Sequence, residues 1–138
     1  MNRKQLDQQV SVSEQLSCEA IALLADAGIE VLVCNRPEGE TEDQPSNAEM
    51  QTAAAEHGLE FVAIPFPSGQ MTPEHCRQFA ELLAGGKQVH AYCRTGNRSS
   101  NLWAGARALS GADKKVLLQS ARTAGFDVSG VVAAFAAE

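Results

Sequence analysis

His90 to Leu109 reads HAYCRTGNRSSNLWAGARAL, and it decides the fold. An apolar strand, QVHAYC, runs into a polar turn holding Arg94, Gly96 and Arg98, and a helix begins near Ser99. A loop that leaves a strand and enters a helix turns successive backbone N–H groups into its own hollow, and the helix N-terminus adds partial positive charge. Such a hollow takes an oxyanion. Arg98 can close it with a two-pronged fork that matches two oxygens, and the same field favours a thiolate on Cys93. Gly96 supplies backbone freedom, Arg94 adds charge, Thr95 and Asn97 complete the loop, and Ser99 and Ser100 are expected to satisfy N–H groups at the helix start.

Outward from this loop the chain alternates helix and strand. Ser17 caps a helix over 18–27, with Ala20, Ile21, Leu23 and Leu24 on its apolar face, and Gly28 stops it. IEVLVC, from Ile29 to Cys34, is a strand. The polar loop NRPEGETEDQP ends at Ser46-x-x-Glu49, a capping box that opens a helix to His57. LEFVAI is a second strand, and Thr72 with Pro73 begins a helix to about Ala84. QVHAYC is the third clear strand. Helices over 99–109 and 112–124 and a short tail helix, VVAAFAA, complete the chain. Strands joined through helices imply right-handed crossovers and a mainly parallel sheet of about four strands, covered on both faces. Ligands then bind beyond the carboxyl ends of the strands, where Cys93 falls.

Composition narrows the function classes. A chain of 138 residues suits one domain, over 1–138, and 44% hydrophobic with 20% charged residues suits a globular one. A net charge of −6 argues against a nucleic-acid surface, while leaving room for a local anion site. No segment has the length and apolarity of a membrane span or signal, so a cytoplasmic protein is expected. Cys18, Cys34, Cys76 and Cys93 are widely spaced, without metal-ligand spacing, so the reading includes neither a metal nor a cofactor. The first three read as packing thiols. Cys34 has the alternative of approaching Cys93 as a resolving thiol.

YCRTGNRSS resembles the active-site loop of single-domain rhodaneses and, more loosely, the phosphate loop of cysteine-dependent phosphatases. Over nearly the whole chain, GIEVLVCNRPEGE, QPSNAEM, HGLEFVAIPFPSGQMTPE and YCRTGNRSSNLW resemble the bacterial beta-lactamase-hydrolase-like phosphatase-like domain family. That resemblance implies a phosphatase-like three-layer α/β fold, Cys93 as nucleophile and Arg98 as anion clamp. It also implies a small anionic substrate, and a partner of the metallo-β-lactamase fold that oxidises persulfides. Arg36 and Glu40 match family positions, and either brace the cysteine loop or touch substrate.

Members of the family that the chain resembles carry both phosphatase and sulfurtransferase labels, and here spacing arbitrates. Cysteine-dependent phosphatases resemble one another in having five residues between Cys and Arg. Only Arg94, Thr95, Gly96 and Asn97 separate Cys93 from Arg98. The residue before the cysteine is Tyr92 where phosphatases usually have His, and His90 lies on the sheet face of Tyr92, away from the thiol. The loop PFPSGQMTPE lacks the Asp that would protonate a leaving oxygen, and Glu74, in a helix's first turn, serves the helix dipole first. Sulfur transfer needs no such acid. The leading expectation is therefore a sulfurtransferase carrying a Cys93 persulfide, with persulfide or thiosulfate as substrate. A phosphatase acting on phosphate esters through a Cys93 thiophosphate stands as the alternative, and an anion-binding or redox-sensing module as a third. Trp103 reads as core, and His57 and His75 as helix-surface residues without partners.

Overall fold

The computed structural model describes residues 1–135. β1 is Lys4–Gln5, β2 Val10–Ser13, β3 Val31–Cys34, β4 Glu60–Ala63 and β5 Val89–Tyr92. The helices are α1 Ile21–Asp26, preceded by a 3₁₀ turn over Cys18–Ala20, α2 Asn47–Glu56, α3 Pro73–Ala84, α4 Asn97–Leu109, α5 Lys114–Ala124 and α6 Ser129–Phe135. Ala136 and Ala137 of the expected tail helix lie outside the described residues.

Five strands form one sheet in the order β1-β2-β5-β3-β4, parallel except for β1, which pairs antiparallel with β2. β5 is central, with Tyr92 abreast of Ser13 on one side and of Cys34 on the other. The period of two decides which side chains meet which helices. Val31, Val33, Val89 and Ala91 pack with Phe79, Leu102, Trp103 and Leu117, from α3, α4 and α5. Leu32, Cys34 and Tyr92 pack with Ile21, Leu24, Met50 and Ala54, from α1 and α2. Both faces are thus covered, as a parallel sheet requires. Among the described residues no helix is long and apolar enough to cross a membrane.

The helix signals are realised at several ends. Ser17 Oγ accepts from the N–H of Ala20, and Ser46 and Glu49 form the full capping box. Thr72 also heads a capping box, but its third residue is His75, whose Nδ1 accepts from the Thr72 N–H at 2.9 Å. His75 further stacks on Phe66 with ring centroids 4.8 Å apart. It therefore has the partners its sequence position did not announce. Leu23 departs from the expected apolar face, being 62% exposed, because Ile21 and Leu24 suffice to seat the short α1. Ser99 and Ser100 do not cap. α4 begins two residues earlier than expected, at Asn97 behind Gly96, and both serines are buried inside its first two turns.

β2 carries the buried polar feature of the sheet. Ser11 Oγ lies 2.8 Å from His90 Nδ1 and Ser13 Oγ lies 2.8 Å from Nε2. Ser13 donates its own proton to the Glu14 carbonyl, so it accepts from Nε2–H, and Nδ1 accepts from Ser11. The imidazole is neutral, fully buried and satisfied at both nitrogens. Burial lowers its pKa from 6.5 to about 3. The unfolded chain therefore takes up this proton at a higher pH than the folded one, and stability falls as pH drops from about 6.5 towards 3. Urea unfolding across this range should show that slope in the wild type, and His90→Gln should flatten it even if it lowers stability throughout. An unchanged slope in the variant would show that other groups carry it.

Candidate functional site

Cys93 is the first residue beyond β5, only 1% exposed, at the carboxyl edge of the sheet. The chain turns sharply after it. Gly96 adopts φ +96°, and its N–H donates to Cys93 Sγ at 3.1 Å, which fixes the position of the sulfur. A Cβ at Gly96 would stand 2.9 Å from the Phe126 ring, so conformation and space both demand glycine. The Asn97 N–H donates to Thr95 Oγ1 at 3.2 Å, and Ser100 donates its hydroxyl back to the Gly96 carbonyl at 2.8 Å. The loop is fixed by its own atoms before any ligand arrives.

The loops after the neighbouring strands hold it from outside. Ser99 Oγ donates to Asn35 Oδ1 at 2.7 Å, while Asn35 donates its backbone N–H to the Tyr92 carbonyl and its side-chain amide to the Ile64 carbonyl, both at 2.9 Å. One buried asparagine ties the ends of three strands to the start of α4. From the β2 side, the Gln15 N–H donates to the Arg94 carbonyl at 3.3 Å. Neither Asn35 nor Gln15 stood out in the sequence, since their partners lie far along the chain.

Arg98 is buried in the first turn of α4. Its Nη1 and Nη2 donate to the two Glu40 oxygens at 2.7 and 2.9 Å, and Nη1 also donates to the Phe66 carbonyl at 3.1 Å. Glu40 accepts in addition from Arg36 Nε at 2.9 Å, and Arg36 Nη1 donates to Gln15 Oε1 at 2.9 Å. The Arg98 hydrogen bond, more than the opposing effect of partial burial, holds the Glu40 carboxyl down at about 2, with Arg36 assisting. Arg98 is raised above its ordinary value, first by Glu40, with Cys93 adding to the rise. Of the two roles open to Arg36 and Glu40, the geometry fits bracing. Glu40 occupies the end of the guanidinium and the Phe66 carbonyl takes a second Nη1 proton, so the edge formed by Nε–H and the second Nη2 proton is the part not committed to the brace.

Above the loop lies a hollow of about 350 Å³ lined by Ser68, Arg94, Thr95, Asn97 and Arg98. Arg94, Thr95 and Asn97 are exposed, while Cys93, which precedes them, is buried and does not itself line the hollow. The other thiols have no such setting. Cys34 donates to the Arg36 carbonyl at 3.6 Å and lies with Leu32, Met50 and Tyr92, a cluster that does not include Cys93. Burial raises the pKa of Cys34, and that of Cys76 to about 11. Glu74 is exposed and paired to Arg77 at 3.1 Å, outside the lining of the hollow.

A sequence description of the beta-lactamase hydrolase-like protein, phosphatase-like domain, matches residues 2–110. The beta-lactamase hydrolase-like protein of Agrobacterium fabrum is 28% identical over 127 residues, which are 86% of this chain and 30% of that relative's length. A crystal structure of a candidate phosphatase from Neisseria meningitidis Z2491 superposes with a TM-score of 0.80 at 29% identity, covering 96% of this chain and 94% of the other. Tk-PTP in its active form shares the fold, with a TM-score of 0.76 at 18% identity over 96% of this chain and 95% of its own. The match over residues 2–110 and the fold that carries Cys93 and Arg98 agree: the chain belongs to the phosphatase-like domain family of beta-lactamase hydrolase-like proteins, and is a phosphatase-like cysteine enzyme.

Proposed function

We propose that this enzyme transfers sulfane sulfur through a persulfide on Cys93. The observation that carries the reading is the lining of the hollow: Ser68, Arg94, Thr95, Asn97 and Arg98 include no carboxyl or imidazole group. A phosphoryl group leaving an alkoxide needs a proton donor beside it, worth about 10²–10⁴-fold. Asp127, in the adjoining cleft, does not fill the part. Its pKa is lowered by hydrogen bonds from Ser129, which leaves it ionised at neutral pH. A departing thiolate or sulfite needs no proton.

In the proposed reaction the Cys93 thiolate attacks the outer sulfur of R–S–SH. A bond forms between Cys93 Sγ and that sulfur, the bond to the inner sulfur breaks, and R–S⁻ leaves with the electron pair. An acceptor thiolate then takes the sulfur and restores the Cys93 thiolate, so the cycle requires no external oxidant or reductant. Arg98 faces the inner sulfur with its Nε edge and stabilises the charge it takes up as R–S⁻ departs, Gly96 N–H steadies the Cys93 sulfur, and Arg94 draws anions to the loop. Arg36 and Glu40 position Arg98 without touching substrate. We infer a cytoplasmic site of action, supported by four unpaired thiols, and a partner of the metallo-β-lactamase fold, supported by the beta-lactamase-hydrolase-like name and greater length of the relatives; that this partner oxidises persulfides follows from the sulfur-transfer reading.

Intact-mass analysis after exposure to thiosulfate or glutathione persulfide should find one added sulfur on the wild type and none on Cys93→Ser. Turnover of aryl phosphates without sulfur uptake would instead establish the phosphatase. Arg98→Lys keeps the charge and loses the planar fork, so kcat for sulfur transfer should fall by about 10²-fold at every ionic strength. Arg94→Ala should mainly lower kcat/KM, and only at low salt. A normal chemical step in Arg98→Lys would remove Arg98 from its role.

Glu40 also writes a pH signature. Its folded pKa of about 2 lies below the ordinary 4.5, so the stability it lends is complete above pH 4.5 and is lost as pH falls towards 2. Glu40→Gln should weaken the fold at pH 7 and reduce the loss of stability between pH 4.5 and 2, as read from urea unfolding. A full-sized acid loss in the variant would contradict the pairing.

A further inference from the structure

The hollow at the cysteine loop adjoins a larger cleft of about 500 Å³, with Asn97 and Arg98 lining both. Phe66 and Met71, from the segment between β4 and α3, line this cleft together with Val131 and Phe135 of α6. Asn101, one turn along α4, and Asp127, just ahead of α6, are its further polar lining. A volume in the range of about 300–1,000 Å³ suits a small organic ligand and far exceeds what thiosulfate fills. The reacting sulfur thus has room to carry an organic substituent. Asp127 and α6 lie beyond residue 110, where the family match ends, so this wall is not part of the matched segment.

Charge narrows the substituent. Asp127 is exposed and accepts the Ser129 N–H at 2.9 Å, but makes no ion pair among the described residues. It also borders a second hollow, where Arg122 stands. The cleft, which reaches the cysteine loop through Arg98, therefore offers a carboxylate from one element and the Arg98 guanidinium from another, above an apolar floor. A wholly anionic donor would meet Asp127 as a like charge. A donor bearing an ammonium and a carboxylate meets both groups favourably.

We propose that the cleft selects a small persulfide of the α-amino-acid type, with its ammonium against Asp127 and its carboxylate and reacting sulfur on the Arg98 side. This rests on the sulfur-transfer reading for the reaction, though not for the binding. Cys93 attacks the terminal sulfur, the S–S bond of the donor breaks, and the amino-acid thiolate leaves with the electron pair. Asp127 is solvent-exposed and its field is screened, so preference for the ammonium should be modest, about fivefold in kcat/KM.

Two measurements test it together. Sulfur transfer from cysteine persulfide and from N-acetylcysteine persulfide is compared by kcat/KM in the wild type and in Asp127→Asn, which keeps the helix cap. The wild type should favour the free ammonium about fivefold, and the variant should treat the two donors alike. Separately, the Cys93→Ser protein is titrated with S-methylcysteine and N-acetyl-S-methylcysteine, following the backbone amide resonances of Val131 and Phe135. Both should shift, with tighter binding of the unacetylated compound. Selective binding without transfer from either donor would retain the cleft and remove the sulfur-transfer reading. Transfer with equal use of both donors, or titration shifts confined to residues outside the cleft, would overturn the cleft assignment and leave that reading standing.

Discussion

The fork between Arg98 and Glu40 is the constraint on which the site depends. Arg98 is 8% exposed, and a guanidinium so far out of water needs an opposite charge and hydrogen bonds, because an unpaired buried ion costs several kcal/mol. Glu40 supplies the charge and the Phe66 carbonyl a further acceptor. Each reaches Arg98 from a different loop: Glu40 from the one after β3, Phe66 from the one after β4. Arg36 extends the network to Gln15, beyond β2, and Gln15 returns to the carbonyl of Arg94. Four connections are thereby locked around one cation. The cysteine loop can be short because its neighbours finish its walls.

Three buried cysteines of one chain show what the wall does. Cys76, packed between α3 and α4, and Cys34, under α2, are thiols in apolar surroundings that oppose ionisation. Cys93 is as buried as either, yet it has a backbone N–H on its sulfur and a guanidinium beside it. Burial alone would make it another packing residue. The difference lies in which dipoles and charges were buried with it.

The same distinction explains what could be read from sequence. The cysteine loop was legible because its chemistry is contiguous: six neighbouring residues hold the nucleophile, the positive-φ glycine and the clamp. β3, β4 and β5 were legible as apolar runs stopped by glycine or proline. β1 and β2 were not, since VSVS offers only four residues and half of its buried side chains are serines. Those serines are at home in the core only because His90, far along the chain, meets them both. Asn35 is the corresponding case in the site. Its carbonyl oxygen serves Ser99 and its amide serves Ile64, pairings that only the folded sheet edge creates. Arg36 and Glu40 fall between these extremes: the pair was visible, but its bracing role required seeing that Arg98 claims both carboxylate oxygens.

That claim also shapes the chemistry available. A guanidinium whose end is committed to Glu40 presents one edge to a ligand, and Glu40 offsets part of the positive field around it. A doubly charged phosphoryl group calls for donors on all its oxygens and a proton for its leaving group, and the lining of the hollow supplies no such proton. A sulfane sulfur carries at most one charge of its own and leaves behind a stable thiolate. The proposed sulfur transfer would draw on one guanidinium edge, one glycine N–H and an approach lined by Arg94. The fold is shared with phosphatases, but the proton inventory and the loop length are set by residues the fold does not dictate.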